Sequence, residues 1–195
     1  MARPREFDHD QVVSAAAELF LHSGYEGTSM RDLIARTGLS SSSIYAAFGG
    51  KRGLYLAALK HAATDERTQV AAAIEGPGGV VGGLRVLYAH LIDRLLSGAD
   101  KSISLSARAA LETSEDDPDV MAHLKVHVDD LVGLLSTRLS EAQAGGELRL
   151  RQEPRDLALF LLLSAFNLTY AYKLTQDKDS LTAFGEAALS ALQSA

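Results

Sequence analysis

The 195-residue sequence predicts an all-α protein of about nine helices, and three observations carry that expectation. Apolar residues recur at intervals of three and four along most of the chain, the spacing of one helix face. Period-two alternation rich in β-branched residues, the strand signal, is scarce. Glycine, proline and capping residues stand where the helical runs stop and start. A composition of 47% hydrophobic and 23% charged residues is globular, which excludes intrinsic disorder.

The elements follow in order. Val12, Val13, Ala16, Leu19 and Phe20 share one face of a helix over about residues 9–22, with Asp8 as N-cap and Gly24 as stop. Thr28 or Ser29 caps a short second helix through Arg36, and Ser29 with Asp32 resembles a capping box. Gly38 ends it, and Ser40 opens a third helix in which Ile44, Tyr45 and Phe48 lie on one side. After Gly49 and Gly50, a long helix runs from Lys51 to about Ile74. The glycine-rich stretch from Glu75 to Gly83 lacks the ending of a phosphate loop and reads as a linker. Further helices are expected near residues 80–97, 102–113, 118–144, 154–174 and 178–194, with Pro118 and Pro154 in first turns. The domain division expected from this pattern is 1–50 and 51–195.

Charge narrows the function. The whole chain carries −6, which taken alone argues against nucleic acid. The first 60 residues, however, sum to +1 through Arg3, Arg5, Arg31, Arg36, Lys51, Arg52 and Lys60, so the rest holds −7. Five of those carboxylates fall between Glu112 and Asp119, a stretch that reads as a solvated loop. With no cysteine there is no disulfide and no thiol chemistry. His123 and His127 stand four apart beside Asp119 and Asp130, a spacing able to bind Zn²⁺, but no third ligand is evident and no metal or cofactor is expected. No serine sits in a Gly-x-Ser-x-Gly elbow, so the reading is not an enzyme. No apolar segment follows Met1, and the apolar run from Leu157 to Leu168 is about half a bilayer span. A cytoplasmic protein without a membrane partner is the expectation.

Function becomes legible between Thr28 and Phe48. Two short helices separated by Thr37, Gly38, Leu39 and Ser40 match a helix-turn-helix, with Leu33, Leu39 and Ile44 packing against the first helix. The third helix then presents Ser40, Ser41, Ser42, Ser43 and the alanines outward, and small side chains allow close approach to a major groove. The fuller string resembles the TetR family of transcriptional regulators. It runs through Ala15 to Phe20, Gly24 to Leu33, Thr37 to Ser40, Ile44, Tyr45, Phe48 and Lys51, at family spacings over about residues 9–60.

The resemblance implies a ligand-responsive regulator, most often a repressor, that binds a pseudo-palindromic operator in double-stranded DNA as a homodimer and is released by a small-molecule effector. It implies that Thr28 caps the second helix and offers its hydroxyl and amide to a phosphate, and that Tyr45 and Lys51 contact phosphate. Ser40 caps the recognition helix, Ser41, Ser42 and Ser43 are candidates for base edges, and Arg3 and Arg5 form an arm toward the backbone or minor groove. Two departures stand out. Ile34 replaces a usual alanine, and no Lys or Arg lies near Ser41 for bidentate guanine readout.

By the same resemblance the last two helices form a four-helix dimer interface, here through Leu157, Leu161, Ser164, Leu168, Ala183 and Ala187. An effector pocket is implied among the middle helices, with Tyr88, Leu91, Leu105, Leu124, His127, Phe160, Phe166, Asn167 and Tyr170 as lining candidates. A buried Asn167 would need a hydrogen-bonding partner. The alternative class is a non-switching architectural DNA binder or interaction bundle, for which the C-terminal acidic helical region would be larger than needed.

Overall fold

The computed structural model describes residues 7–98, 104–113 and 117–192, so the expected arm residues Arg3 and Arg5 lie outside the described residues. These hold nine α-helices: α1 (His9–Gly27), α2 (Met30–Thr37), α3 (Ser41–Phe48), α4 (Lys51–Ile74), α5 (Gly79–Leu96), α6 (Leu105–Glu112), α7 (Pro118–Ala144), α8 (Pro154–Thr175) and α9 (Lys178–Leu189). The last helix is shorter than its apolar pattern suggests and ends in a 3₁₀ turn, Ser190–Leu192.

Within the described residues the chain forms two compact units, one drawn from Met1–Thr64 with Ser104–His123 and the other from Asp65–Ile103 with Leu124–Ala195. The line between them falls inside α4 and α7, because α6 packs on α1 and the start of α7 is held by Arg52 of α4.

In the first unit Ala16, Phe20, Leu33, Ile44, Leu54, Ala58 and Leu59 are fully buried. Each large apolar side chain removed from water contributes about 1.5–3 kcal/mol, so this cluster holds the unit together. Asp8 caps α1 by accepting from the amides of Asp10 and Gln11. Gly24 does not end α1 cleanly: it kinks the helix (φ 78°, ψ 171°), and a last turn follows. Arg108 of α6 secures that kink by donating to the carbonyls of Leu21 (2.8 Å) and His22 (3.0 Å) while pairing with Glu112 at 2.7 Å. Arg52 of α4 donates to both carboxylate oxygens of Asp117, at 2.6 and 3.0 Å, and to Asp119 at 2.6 Å. The acidic stretch expected as a solvated loop is therefore an anchor in its described part: Glu112, Asp117 and Asp119 all have cationic partners.

In the second unit α8 packs on α5 and α9. The Tyr88 hydroxyl donates to the Leu161 carbonyl at 2.7 Å, and burial holds that phenol well above its ordinary pKa. His127 and Glu66 meet at 2.8 Å, joining α7 to α4 through a largely buried pair. Helix α4 crosses α5 so closely at Gly83 that a Cβ there would lie 2.0 Å from the Ala73 carbonyl oxygen. Helix α8 has the length of a membrane span, beyond the half-span its apolar core suggests, with a mean hydropathy of 1.4. Its two sides differ sharply. Leu157, Leu161, Ser164 and Leu168 are buried within the unit, whereas Leu159, Phe160, Leu163, Tyr170 and Leu174 are exposed.

Candidate nucleic-acid interface

Polar side chains cap α2 and hold the turn that joins it to α3. Ser29, rather than Thr28, caps α2: its hydroxyl accepts from the Asp32 amide, and the Asp32 carboxylate accepts from the Ser29 amide at 2.9 Å. The Ser29 hydroxyl also donates to Asp32 at 2.6 Å, and these hydrogen bonds hold the Asp32 carboxyl below its usual pKa. Gly38 closes α2 in the left-handed region (φ 70°), a conformation glycine adopts without the Cβ clash. Thr37 latches the turn, donating its hydroxyl to the Leu33 carbonyl and accepting from the Leu39 amide. Ser40 then caps α3, accepting from the Ser43 amide at 3.1 Å.

Below α3, Ile44 is fully buried and Phe48 is half-buried against the rings of His9 and Phe7. Above it, Ser40, Ser41, Ser42, Ala46 and Ala47 are exposed. Tyr45 is 59% exposed, so its placement on the apolar side is corrected. The ring is nevertheless held: a Cβ at Gly50 would stand 2.9 Å from its Cε1. The glycine leaves the ring room to lie against the backbone. The next contact is tighter still, since a Cβ on Gly53 would lie 1.6 Å from the Phe48 carbonyl oxygen. The end of α3 thus sits directly on the first turn of α4, where Lys51 and Arg52 project. Lys51 rests its ammonium 4.2 Å from the centroid of the Tyr25 ring.

A helix-turn-helix built this way exposes hydroxyls, methyls and one phenol on α3, with Lys51 at the head of α4 next in the chain. Such a surface fits a groove lined by phosphates. The model for bacterial regulatory proteins of the tetR family matches residues 12–58. Over 195 residues the sequence is 31% identical to YezE of Bacillus subtilis (strain 168), an uncharacterized HTH-type transcriptional regulator, spanning 98% of this chain and 100% of that one. The chain belongs to the TetR family of transcriptional regulators.

As a TetR-family member it is a DNA-binding transcriptional regulator and not an enzyme. It is also similar to the CifR regulator, solved in a cysteine-substituted form with 26-base-pair double-strand operator DNA. The TM-score is 0.80 at 29% identity, across 98% of this chain and 100% of that one. The Escherichia coli (strain K12) repressor ComR is 44% identical over 57 residues, 29% of this chain and 27% of its own length.

Several expected site residues require correction. Thr28 is fully buried, with its hydroxyl donating to the Gly24 carbonyl at 2.7 Å and its amide to the Tyr25 carbonyl. Both groups serve the α1 kink and neither faces outward. Among the four serines, Ser40, Ser42 and Ser43 hydrogen-bond one another through the Ser40 hydroxyl. Ser41 has no side-chain partner among the described residues, which makes it the serine freest to reach a base edge. Ile34 is half-buried, with Leu33 carrying the packing of α2.

The expected pocket and interface sets are redistributed. Tyr88, Leu124 and His127 are buried and Leu91 and Phe166 half-buried in the second unit, while Leu105 belongs to the first. Phe160, Asn167 and Tyr170 lie on the exposed side of α8, not in the interior. Asn167 satisfies its amide by donating to Leu163, one turn back on the same helix, at 2.9 Å. Of the expected interface residues, Leu157, Leu161, Ser164 and Leu168 pack inside their own unit, and Ala183 and Ala187 are exposed. Local spacing does not reveal the anchoring roles of Arg52, Asp117 and Arg108, because Arg52 and Asp117 stand 65 residues apart and Arg108 reaches carbonyls more than 80 residues away. Only the Arg108–Glu112 pair has the local i,i+4 spacing. No group of three His, Asp or Glu side chains converges as a metal set among the described residues.

Proposed function

We propose that this protein is a cytoplasmic, homodimeric repressor that occupies a pseudo-palindromic operator and leaves it when a small molecule binds the second unit. The single observation that carries the DNA-binding half is the outward face of α3, where Ser41, Ala46 and Tyr45 are exposed next to Lys51 at the head of α4. The positive end of α4 and the Lys51 charge both favour a phosphate there.

The homodimer reading rests on the outer face of α8 and α9. Phe160, Leu163, Tyr170, Leu174 and Phe184 are large, apolar and exposed, a set that a monomer in water would not be expected to leave uncovered. A two-fold partner covering that face gives two reading heads, which must stand about 34–36 Å apart to enter successive major grooves. The interface proposed is therefore the outer face of α8 with Ala183, Phe184 and Ala187, and not the inner leucines.

Release by an effector requires an element with two positions that both sites bias. Helix α4 suits this role: it begins with Lys51 and continues to Glu66, which pairs with His127 of α7. An effector among Tyr88, Leu91, Leu124, His127 and Phe166 would act on that pair. Fluorescence anisotropy with the protein's own upstream DNA tests the reading. Affinity should fall steeply with salt, and a metabolite screen should yield a compound that dissociates the complex. Salt-insensitive binding would overturn the phosphate-contact reading, and tight operator binding indifferent to every effector would favour the architectural alternative.

A further inference from the structure

A cleft of about 480 Å³ opens in the first unit between the last turn of α1, the second turn of α4, the end of α6 at Glu112 and the first turn of α7 at Val120. That volume lies within the range of about 300–1,000 Å³ that small-molecule sites occupy. Its wall includes Tyr25, Glu26, Tyr55, Glu112 and Asp117, and none of its described lining residues is basic.

Tyr55 is only 4% exposed, with its ring against Phe20 at 4.9 Å and Tyr25 at 4.8 Å between centroids. Its hydroxyl makes no hydrogen bond among the described residues and, unlike the Arg108 Nε, is not sealed from solvent. The packed ring leaves that hydroxyl to the cleft. Burial, with the nearby Glu112 and Asp117 charges, pushes its pKa up to about 12, so it stays protonated.

The chemistry of the wall selects the occupant. An anion would be repelled by three carboxylates. Glu112 and Asp117 are served from outside the cleft by Arg108 and Arg52, while Glu26 has no ion-pair partner among the described residues. The Tyr25 ring already attracts a cation, the Lys51 ammonium at 4.2 Å, as expected for a ring face with negative potential. We propose that this cleft binds a small organic cation, an amine or amidine whose apolar stem lies along the Tyr25 and Tyr55 rings. Its N–H groups donate to the Tyr55 hydroxyl oxygen and the Glu26 carboxylate. The occupant competes with Lys51 for the Tyr25 ring and so alters operator affinity, a consequence that rests on the DNA-binding reading above.

Calorimetric titration of the full-length protein with benzylamine and with benzamidine tests the site directly, with benzyl alcohol as the neutral control. Saturable binding of either cation is expected, weakened about tenfold by Tyr55→Phe and by Glu26→Gln, and absent for the alcohol. Tyr55→Phe keeps the ring packing, and an unchanged melting temperature verifies that the variant folds. No binding of either cation at about 1 mM, equal binding of the alcohol, or unchanged affinity in both variants would mean that the cleft holds only water and would overturn the site. Operator titration with and without benzamidine then separates the two readings. Cation binding with no operator binding sinks the DNA reading alone, and operator binding with no cation binding sinks the cleft alone.

Discussion

The outer faces of α3 and α8 are both left open by the chain, yet they are built from opposite materials. Helix α3 shows serines, alanines and one phenol, whereas α8 shows Leu159, Phe160, Leu163, Tyr170 and Leu174, the last 70% exposed. Small polar groups cost little to keep hydrated and can exchange water for phosphate or base edges, so the α3 face is stable alone and ready for a wet groove. Large apolar groups gain only by leaving water, so the α8 face calls for another apolar face of the same kind. Exposure alone therefore does not define a site. What is exposed states which solvent, water or protein, the face is made for.

The largest effect should come from attacking the apolar face. Phe160→Glu combined with Leu163→Glu is predicted to yield a folded monomer by light scattering, with operator affinity reduced about 100-fold or more as the two reading heads lose their tether. A dimer that survives these charges would move the interface elsewhere. Next is the support beneath α3. In Gly53→Ala the new methyl would collide with the Phe48 carbonyl, and a backbone cannot rotate away as a side chain does. A loss of about 3 kcal/mol is expected, a fall in Tm of about 6–12 °C for a chain of this size, measured by calorimetry.

The polar face should respond more mildly. Lys51→Ala is predicted to weaken operator binding about tenfold and to reduce the slope of log affinity against log salt by about one. Tyr45→Phe removes one hydroxyl contact, costing roughly three- to tenfold with the salt slope unchanged. If both variants bind as tightly as the natural sequence, α3 is not the reading helix.

The smallest effects are those of pH. Asp117 is held low chiefly by the Arg52 hydrogen bond, and Asp32 by its bond to Ser29. Depressed carboxylates stabilise the fold fully above their ordinary value of 3.8, and that contribution fades as pH falls below it. Tyr55 behaves in the reverse sense. Its neutral form is favoured in the fold, so stability should hold up to pH 10 and decline as pH rises from there through about 12. Denaturant titrations across pH 3–12 should thus show shoulders at the extremes and a plateau between them.

Most helix positions were legible because the signals are local. The Ser29–Asp32 box, the Ser40 cap and the left-handed Gly38 each act within four residues, a range that sequence spacing encodes directly. Thr28 was misplaced because its role depends on the Gly24 kink, and the partners of that kink come from α6, more than 80 residues away. The acidic stretch was misread for the same reason: nothing near Asp117 in the chain announces Arg52. Helix α8 defeated the pattern differently. A helix apolar on nearly every side has no stripe to orient it, so periodicity could establish its existence but not its inner face.

Read alone, then, the sequence establishes the all-helical class, the helix-turn-helix and the exposure of Ser41, Ser42 and the α3 alanines, because caps, turns and periodic faces are short-range physics. Tertiary structure alone decided that Thr28 faces inward and that Arg52 and Arg108 anchor the acidic segment. It also decided that the inner leucines of α8 serve their own unit and that Tyr55 lines a cleft. Those outcomes depend on which distant groups compete for each donor, acceptor and apolar surface, and that competition is settled only when the chain has folded.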